Sequence, residues 1–239
     1  VYAKYRPGYP ETLQGHLASA CGLRSHHAVA DIGSGTGKLS ELFLRNGNTV
    51  IAVEPNADMR REAEAMLAGA AGFRSVDARA ERTGLPSHSV DLVAAGQAFH
   101  WFEPDGARAE FRRILRPGGF VVLVWNVREP EATPFLHAYE EFLREFSVDY
   151  AAVHHSRLTD GDALRPFFSA DYGFAVIDNS RELDFEFLKG GYLSTSYSLT
   201  PGHDRYTQAM ERLRGLFDAY QQGGRVAAPL RTVVHHGRV

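Results

Sequence analysis

Residues 29–40 read Val29-Ala30-Asp31-Ile32-Gly33-Ser34-Gly35-Thr36-Gly37-Lys38-Leu39-Ser40. Three glycines fall at every second position, after a short apolar run and before Leu39, Leu42 and Phe43 at helical spacing. An apolar strand, a glycine turn and an amphipathic helix in succession open an α/β unit. Glycine adopts backbone angles that side chains forbid, so such a turn lets the main chain approach a ligand closely.

The alternation continues. Apolar runs predict strands at Ala28–Ile32, Thr49–Val53, Phe73–Val76, Val90–Ala95 and Phe120–Trp125. Between them, helical spacing predicts helices after Gly37, around Met59–Leu67 and over Pro104–Leu115. A further helix over 11–20, with Gly22 as its stop, precedes the first strand. Nearly continuous apolar strands that alternate with helices indicate a parallel sheet covered on both faces, with right-handed crossovers. After residue 128 the pattern changes. Residues 131–146 and Tyr206–Tyr220 read as helices, 174–187 as strand pieces that include the alternating Leu183-Asp184-Phe185-Glu186-Phe187, and Leu230–Val239 as a last strand.

Ligands of open α/β sheets lie beyond the carboxyl ends of the strands. Those ends here are Asp31 with Gly33, Glu54, Asp77, Gln97 and Asn126. A triphosphate loop would need Gly where Ile32 stands and Ser or Thr where Leu39 stands. A dinucleotide turn would need Gly in place of Lys38. Acids at three strand ends suit pyrophosphate badly and suit a sulfonium such as S-adenosylmethionine well. A carboxylate at Glu54 can accept both hydroxyls of a ribose, and one at Asp77 an adenine amino group.

The segments ADIGSGTG, VEPN, VDARAERTGLPSHSVDLV, AFHW and ILRPGGFVVLV, in this order, resemble a class I S-adenosylmethionine-dependent methyltransferase. The likeness is greatest to the small-molecule type that includes the trans-aconitate methyltransferases. It implies a Rossmann-like fold: a seven-stranded, mostly parallel sheet with helices on both faces, its last strand inserted antiparallel, and a helical addition after the fifth strand. It implies one domain over 1–239: an arm and helix at 1–22, a cofactor core at 23–128, a substrate-covering addition at 129–202, and a closing helix and strand at 203–239. Asp31, Gly33, Ser34 and Gly35 would border the methionine part of the cofactor. Glu54 and Pro55 would hold the ribose, Asp77 and Ala78 the adenine, and Gln97 would lie near the reacting methyl.

Methyl transfer to a hydroxyl or protonated amine calls for a base, and His100 is the candidate, with Trp101 beside it as an aromatic wall. Tyr5 and Arg6, in an arm with Tyr2 and Tyr9, are candidates to close over the cofactor. Arg128 and Tyr197 are substrate candidates, with Tyr139 and Tyr192 as further aromatics. His26-His27, His154-His155 and His235-His236 are read as helix-face or strand-surface pairs, and adjacent strand residues point to opposite faces, so such pairs rarely share an ion. No metal is expected.

A net charge of -3 argues against a nucleic-acid partner, as does the lack of an Asn-Pro-Pro-Tyr motif after the fourth strand. Cys21 is the only cysteine, which suits a reducing compartment. No apolar run is long enough for a membrane span, and the first residues lack an apolar signal core and an initiator Met. We therefore expect a cytoplasmic protein whose sequence here is trimmed. Nothing in the sequence sets its oligomeric state. A nicotinamide-dependent oxidoreductase and a non-catalytic S-adenosylmethionine-binding module are the alternative readings.

Overall fold

A computed structural model describes residues 5–148, 150, 162, 164–195 and 197–239. They form two compact units. One draws on residues 8–126, 162, 164–177 and 232–239, the other on 5–7, 127–148, 150, 178–195 and 197–231.

The first unit is built on a sheet. Helix α1 (Thr12–Cys21) ends where Gly22 turns left-handed at φ 67°. Then follow β1 (Ala28–Ile32), α2 (Lys38–Arg45), β2 (Thr49–Val53), α3 (Ala57–Leu67), β3 (Phe73–Val76), β4 (Val90–Gly96), α4 (Pro104–Ile114) and β5 (Leu115–Arg128). The Asn56 side chain starts α3 by accepting from the N–H groups of Asp58 and Met59 at 3.0 and 3.1 Å. Glu103 caps α4 in the same way, with Pro104 in the first turn. Val29, Val50, Leu92, Val122 and Val124 are buried on the sheet, with Leu13, Leu17 and Phe43 of the helices packed among them.

β1 to β5 run parallel where they pair. The register places Ile32 beside Val53, Val53 beside Val76, and Gly96 beside Val124. Asp31, Glu54, Asp77, Gln97 and Asn126 are thereby brought to one edge of the sheet.

Two later strands, β6 (Ala170–Asp178) and β9 (Leu230–Arg238), complete a seven-stranded sheet of order β3-β2-β1-β4-β5-β9-β6. The Ser169 N–H donates to the Arg238 carbonyl and the Asn179 N–H to the Leu230 carbonyl, so β6 and β9 run in opposite directions. Thr232 meets Asn126, and Arg238 lies over Phe120, so β9 opposes β5 as well. Residues 170–178, inside the addition expected at 129–202, thus extend the sheet.

The second unit contains α5 (Pro134–Glu145), β7 (Arg181–Leu183), α6 (Phe185–Leu193), α7 (Tyr206–Tyr220) and β8 (Val226–Ala228). Its core joins Phe135, Phe142, Phe146, Tyr192, Leu213 and Phe217. The strand expected through Phe187 stops at Leu183. Asp184 accepts from the Phe187 N–H at 2.8 Å and caps α6, so the two-residue alternation here spans a strand end and a helix start.

A histidine pair lies away from the aligned strand ends. His16 of α1 and His236 of β9 meet edge to face with ring centroids 5.4 Å apart. A Cβ at Gly173 of β6 would collide with the His236 ring. His16 Nε2 and His236 Nδ1 are buried without partners among the described residues. Burial lowers the pKa of both, and at His236 the imidazoles of His16 and His235 add to this. The unfolded chain therefore takes up these protons first, and stability is lost as pH falls below about 6.5. In urea unfolding, the wild type loses stability relative to a His236→Gln variant as pH drops through that range. A pH-independent difference between the two contradicts this.

Among the described residues, no helix is long and apolar enough to cross a membrane.

Candidate functional site

The site begins where β1 ends. Gly33, Gly35 and Gly37 have φ of 65°, 55° and 83°. The N–H groups of Gly33 and Ser34 both donate to the Val53 carbonyl, at 2.8 and 3.2 Å, and tie the turn to β2. A Cβ on Gly33 would lie 2.6 Å from the Ala98 Cβ, so this glycine is needed for packing. A Cβ on Gly35 would meet only the Met59 sulfur at 3.9 Å. Gly35 therefore leaves space rather than filling it.

Two acids support the turn. Glu54 is buried, and its Oε2 accepts from the Gly35 N–H at 2.9 Å while Oε1 accepts from the Asn56 N–H at 2.8 Å. Asp31 has no exposed surface. Its Oδ2 accepts from the Ser40 hydroxyl at 2.6 Å, and its Oδ1 is buried with no partner among the described residues. Burial pushes the Asp31 carboxyl up to about 7, against the Ser40 hydrogen bonds and with help from the Glu54 charge. The Ser34 hydroxyl is likewise buried without a described partner. Tyr9 lies against Gly96, where a Cβ would strike its hydroxyl. Burial, and then the nearby Asp31, raise the Tyr9 phenol above its usual range.

Two supporting residues escaped the sequence reading. Arg60 of α3 donates to the Glu54 carbonyl at 2.7 Å and to the Asp77 carboxylate at 2.9 Å, and so joins the ends of β2 and β3. Ser40 is the other. Both are ordinary helix residues in sequence, and only helix docking brings them to their partners. The Asp77 side chain is 69% exposed, Pro55 is exposed and Ala78 half-buried.

Gln97 has φ 57°, unusual for a residue with a side chain. Its N–H donates to the Val124 carbonyl at 2.8 Å and its side-chain amide to the Asn126 carbonyl at 3.0 Å. Beyond it, Phe99–Trp101 makes a single 3-10 turn. Phe99 points inward against Trp125 and Phe167. His100 and Trp101 face solvent, Trp101 at 80% exposure, with ring centroids 5.1 Å apart.

The remaining candidates lie in the helical unit. Tyr5 packs edge-on to Phe187, and Arg6 donates to the Ser194 carbonyl at 2.9 Å. Arg128 lies over the Tyr139 ring at 5.5 Å and reaches the Tyr150 hydroxyl at 3.5 Å. Tyr150 packs edge-on to Tyr197 at 5.1 Å. Tyr192 belongs to the core instead: its hydroxyl donates to the Phe146 carbonyl and accepts from the Leu199 N–H. Tyr2 and His154-His155 lie outside the described residues. Among those described, no three metal-ligating side chains converge.

A methyltransferase-domain family profile matches residues 30–123, the stretch from the middle of β1 into β5. An uncharacterized methyltransferase of Mycobacterium tuberculosis is 38% identical over 221 residues, covering 90% of this chain and 82% of that one. Among solved structures, one described as a type II methyltransferase of Anaeromyxobacter dehalogenans shares the fold. Its TM-score is 0.68 at 23% identity, over 98% of this chain and 97% of that one. A geranyl diphosphate methyltransferase solved in complex with S-adenosylmethionine superposes with a TM-score of 0.51 at 17% identity, over 96% and 85% of the two chains. By its relatives and its strand-end motifs, the chain belongs to the methyltransferase family, as a class I enzyme with S-adenosylmethionine as its cofactor. The dinucleotide alternative is set aside by that relationship as well as by Lys38.

Proposed function

We propose that the chain methylates a small-molecule acceptor and holds its cofactor at the carboxyl ends of β1, β2 and β3. The observation that carries this reading is the buried, half-satisfied Asp31 carboxyl beside the glycine turn. An acceptor left unpaired in a protein interior costs about 1–3 kcal/mol. A ligand that brings its own donor removes that cost, and the ammonium of the methionine part is such a donor. The Ser34 hydroxyl supplies a donor for the adjacent carboxylate. Each Glu54 oxygen already accepts one backbone N–H and keeps a lone pair for a ribose hydroxyl. Pro55 adjoins the ribose, and Asp77 and Ala78 border the adenine, with Arg60 fixing the Asp77 carboxylate.

Bound there, S-adenosylmethionine supplies a methyl group on a sulfonium, which passes to the acceptor nucleophile by in-line displacement. The protein's task is then to position the nucleophile and exclude water. Gln97, with its side chain tied to Asn126, shapes the end of β4 where the methyl would lie. His100 takes the proton of an acceptor that needs deprotonation, with Trp101 beside it. Acceptor recognition falls to the helical unit, through Arg128 and Tyr197. The resemblance to the type that includes the trans-aconitate methyltransferases supports a small acceptor, and the net charge of -3 gives no support to nucleic acid. One cysteine, Cys21, suits the cytoplasm.

The test is a turnover assay for the demethylated cofactor, with separate pools of small acids, phenols and amines, and with RNA and protein pools alongside. Cofactor conversion with a small-molecule pool alone is the expected result. Conversion with RNA or protein alone overturns the acceptor class.

A further inference from the structure

The helical unit contains a guanidinium that pairs with no acid among the described residues. Arg128 ends β5, two residues beyond Asn126. It is half-buried, and its described partners are the Tyr139 ring, the Tyr150 hydroxyl and the Tyr197 hydroxyl. Among the described residues no carboxylate pairs with it. The acid of this cluster is Glu140, whose Oε2 accepts from the Tyr150 hydroxyl at 2.7 Å.

That hydrogen bond sets the polarity of the cluster. Tyr150 spends its proton on Glu140, so its oxygen faces Arg128 as an acceptor. Tyr150 therefore orients the guanidinium. Arginine has five N–H donors in a planar fork. The acceptors of Arg128 among the described residues are two hydroxyls, fewer than those five donors. A sheltered cation with no carboxylate in direct contact among the described residues favours an anion, and a planar fork matches a carboxylate through two parallel hydrogen bonds. The tyrosine rings beside it would seat a flat apolar body.

We propose that Arg128, oriented by Tyr150 and walled by Tyr139 and Tyr197, is a carboxylate-binding subsite, and that the acceptor of this enzyme is a small molecule carrying a carboxylate next to a flat apolar group. This deepens the small-molecule reading above and rests on it.

The probe is benzoate, titrated calorimetrically into the whole protein saturated with the demethylated cofactor. Benzamide and phenyl phosphate serve as the neutral and phosphate counterparts. Benzoate should bind saturably, and benzamide about tenfold or more weakly. Arg128→Gln should lose about ten- to hundredfold in benzoate affinity. Tyr150→Phe keeps the ring and the packing, and should lose a few-fold. Benzoate binding that is absent from the wild type, or unchanged in Arg128→Gln, overturns the proposal. Tighter binding of phenyl phosphate overturns the carboxylate assignment. The S-adenosylmethionine affinity of each variant is measured in parallel. Unchanged affinity shows that the variant is folded and that any loss is local. A wild type that binds benzoate through Arg128 but not S-adenosylmethionine would keep the subsite and refute the methyltransferase reading.

Discussion

Replacing Glu54 with Gln lowers the affinity for S-adenosylmethionine by about ten- to hundredfold. Glu54 is asked to do two things at once. Its two oxygens take the N–H groups of Gly35 and Asn56, and thereby hold the glycine turn and the start of α3 at the end of β2. In the proposed site their remaining lone pairs take the ribose hydroxyls. Charge-assisted hydrogen bonds of this kind are about twice as strong as neutral ones. Glutamine keeps the size but turns one acceptor into a donor. Whichever way the amide is turned, an NH2 group then faces a backbone N–H. The variant should also melt earlier, by about 1–3 kcal/mol of lost stability. Calorimetric titration measures the first effect and urea unfolding the second. Reduced stability with unchanged cofactor affinity would leave Glu54 a turn residue and remove it from the ribose.

Cofactor binding tightens as pH rises towards neutrality. Burial, and more weakly the Glu54 charge, hold the Asp31 carboxyl near 7 in the free protein. Below that value Asp31 is largely protonated and neutral. An ammonium placed against Oδ1 favours the carboxylate and lowers its pKa. Binding then releases a proton whenever the free protein carries one, so affinity climbs with pH, by at most about tenfold per unit, and levels off above about 7. The ammonium of the ligand sets the upper limit, since a free α-amine titrates near about 8. Asp31→Asn should bind weakly and show no such slope. Titrations between about pH 5.5 and 7.5, in buffers of different ionisation enthalpy, report both the slope and the released proton. Affinity that falls with pH over this range contradicts the placement of a cation at Asp31.

The centre of the sheet was legible because β1, β2, β4 and β5 are largely buried on both faces, and such strands appear as plain apolar runs. Val29–Ile32 and Val50–Val53 are examples, and parallel register then carries Asp31 and Glu54 to the same edge. The boundaries were less legible. Arg116-Pro117-Gly118-Gly119 reads as a break after a helix, and although β5 starts at Leu115, these four residues bulge out of its pairing with β4, which resumes at Phe120. Leu183 to Phe187 alternates like a strand, but the side chain of Asp184 converts its second half into a helix. Arg60 and Ser40 support the two site acids across helix–strand contacts that no local pattern encodes. The same holds for Arg128, whose tyrosine partners come from residues 139, 150 and 197. The sequence marked Arg128 and Tyr197 separately, and folding brings them to one cluster. Tyr192 looked equally suited to a ligand, but its hydroxyl is spent on the backbone of its own core.

The most direct test of the account is a calorimetric titration of the purified chain with S-adenosylmethionine, its demethylated product and a nicotinamide dinucleotide. Saturable binding of the first two, without the third, is the predicted result. Binding of the dinucleotide alone would contradict the cofactor assignment and every role built on Asp31, Glu54 and Asp77.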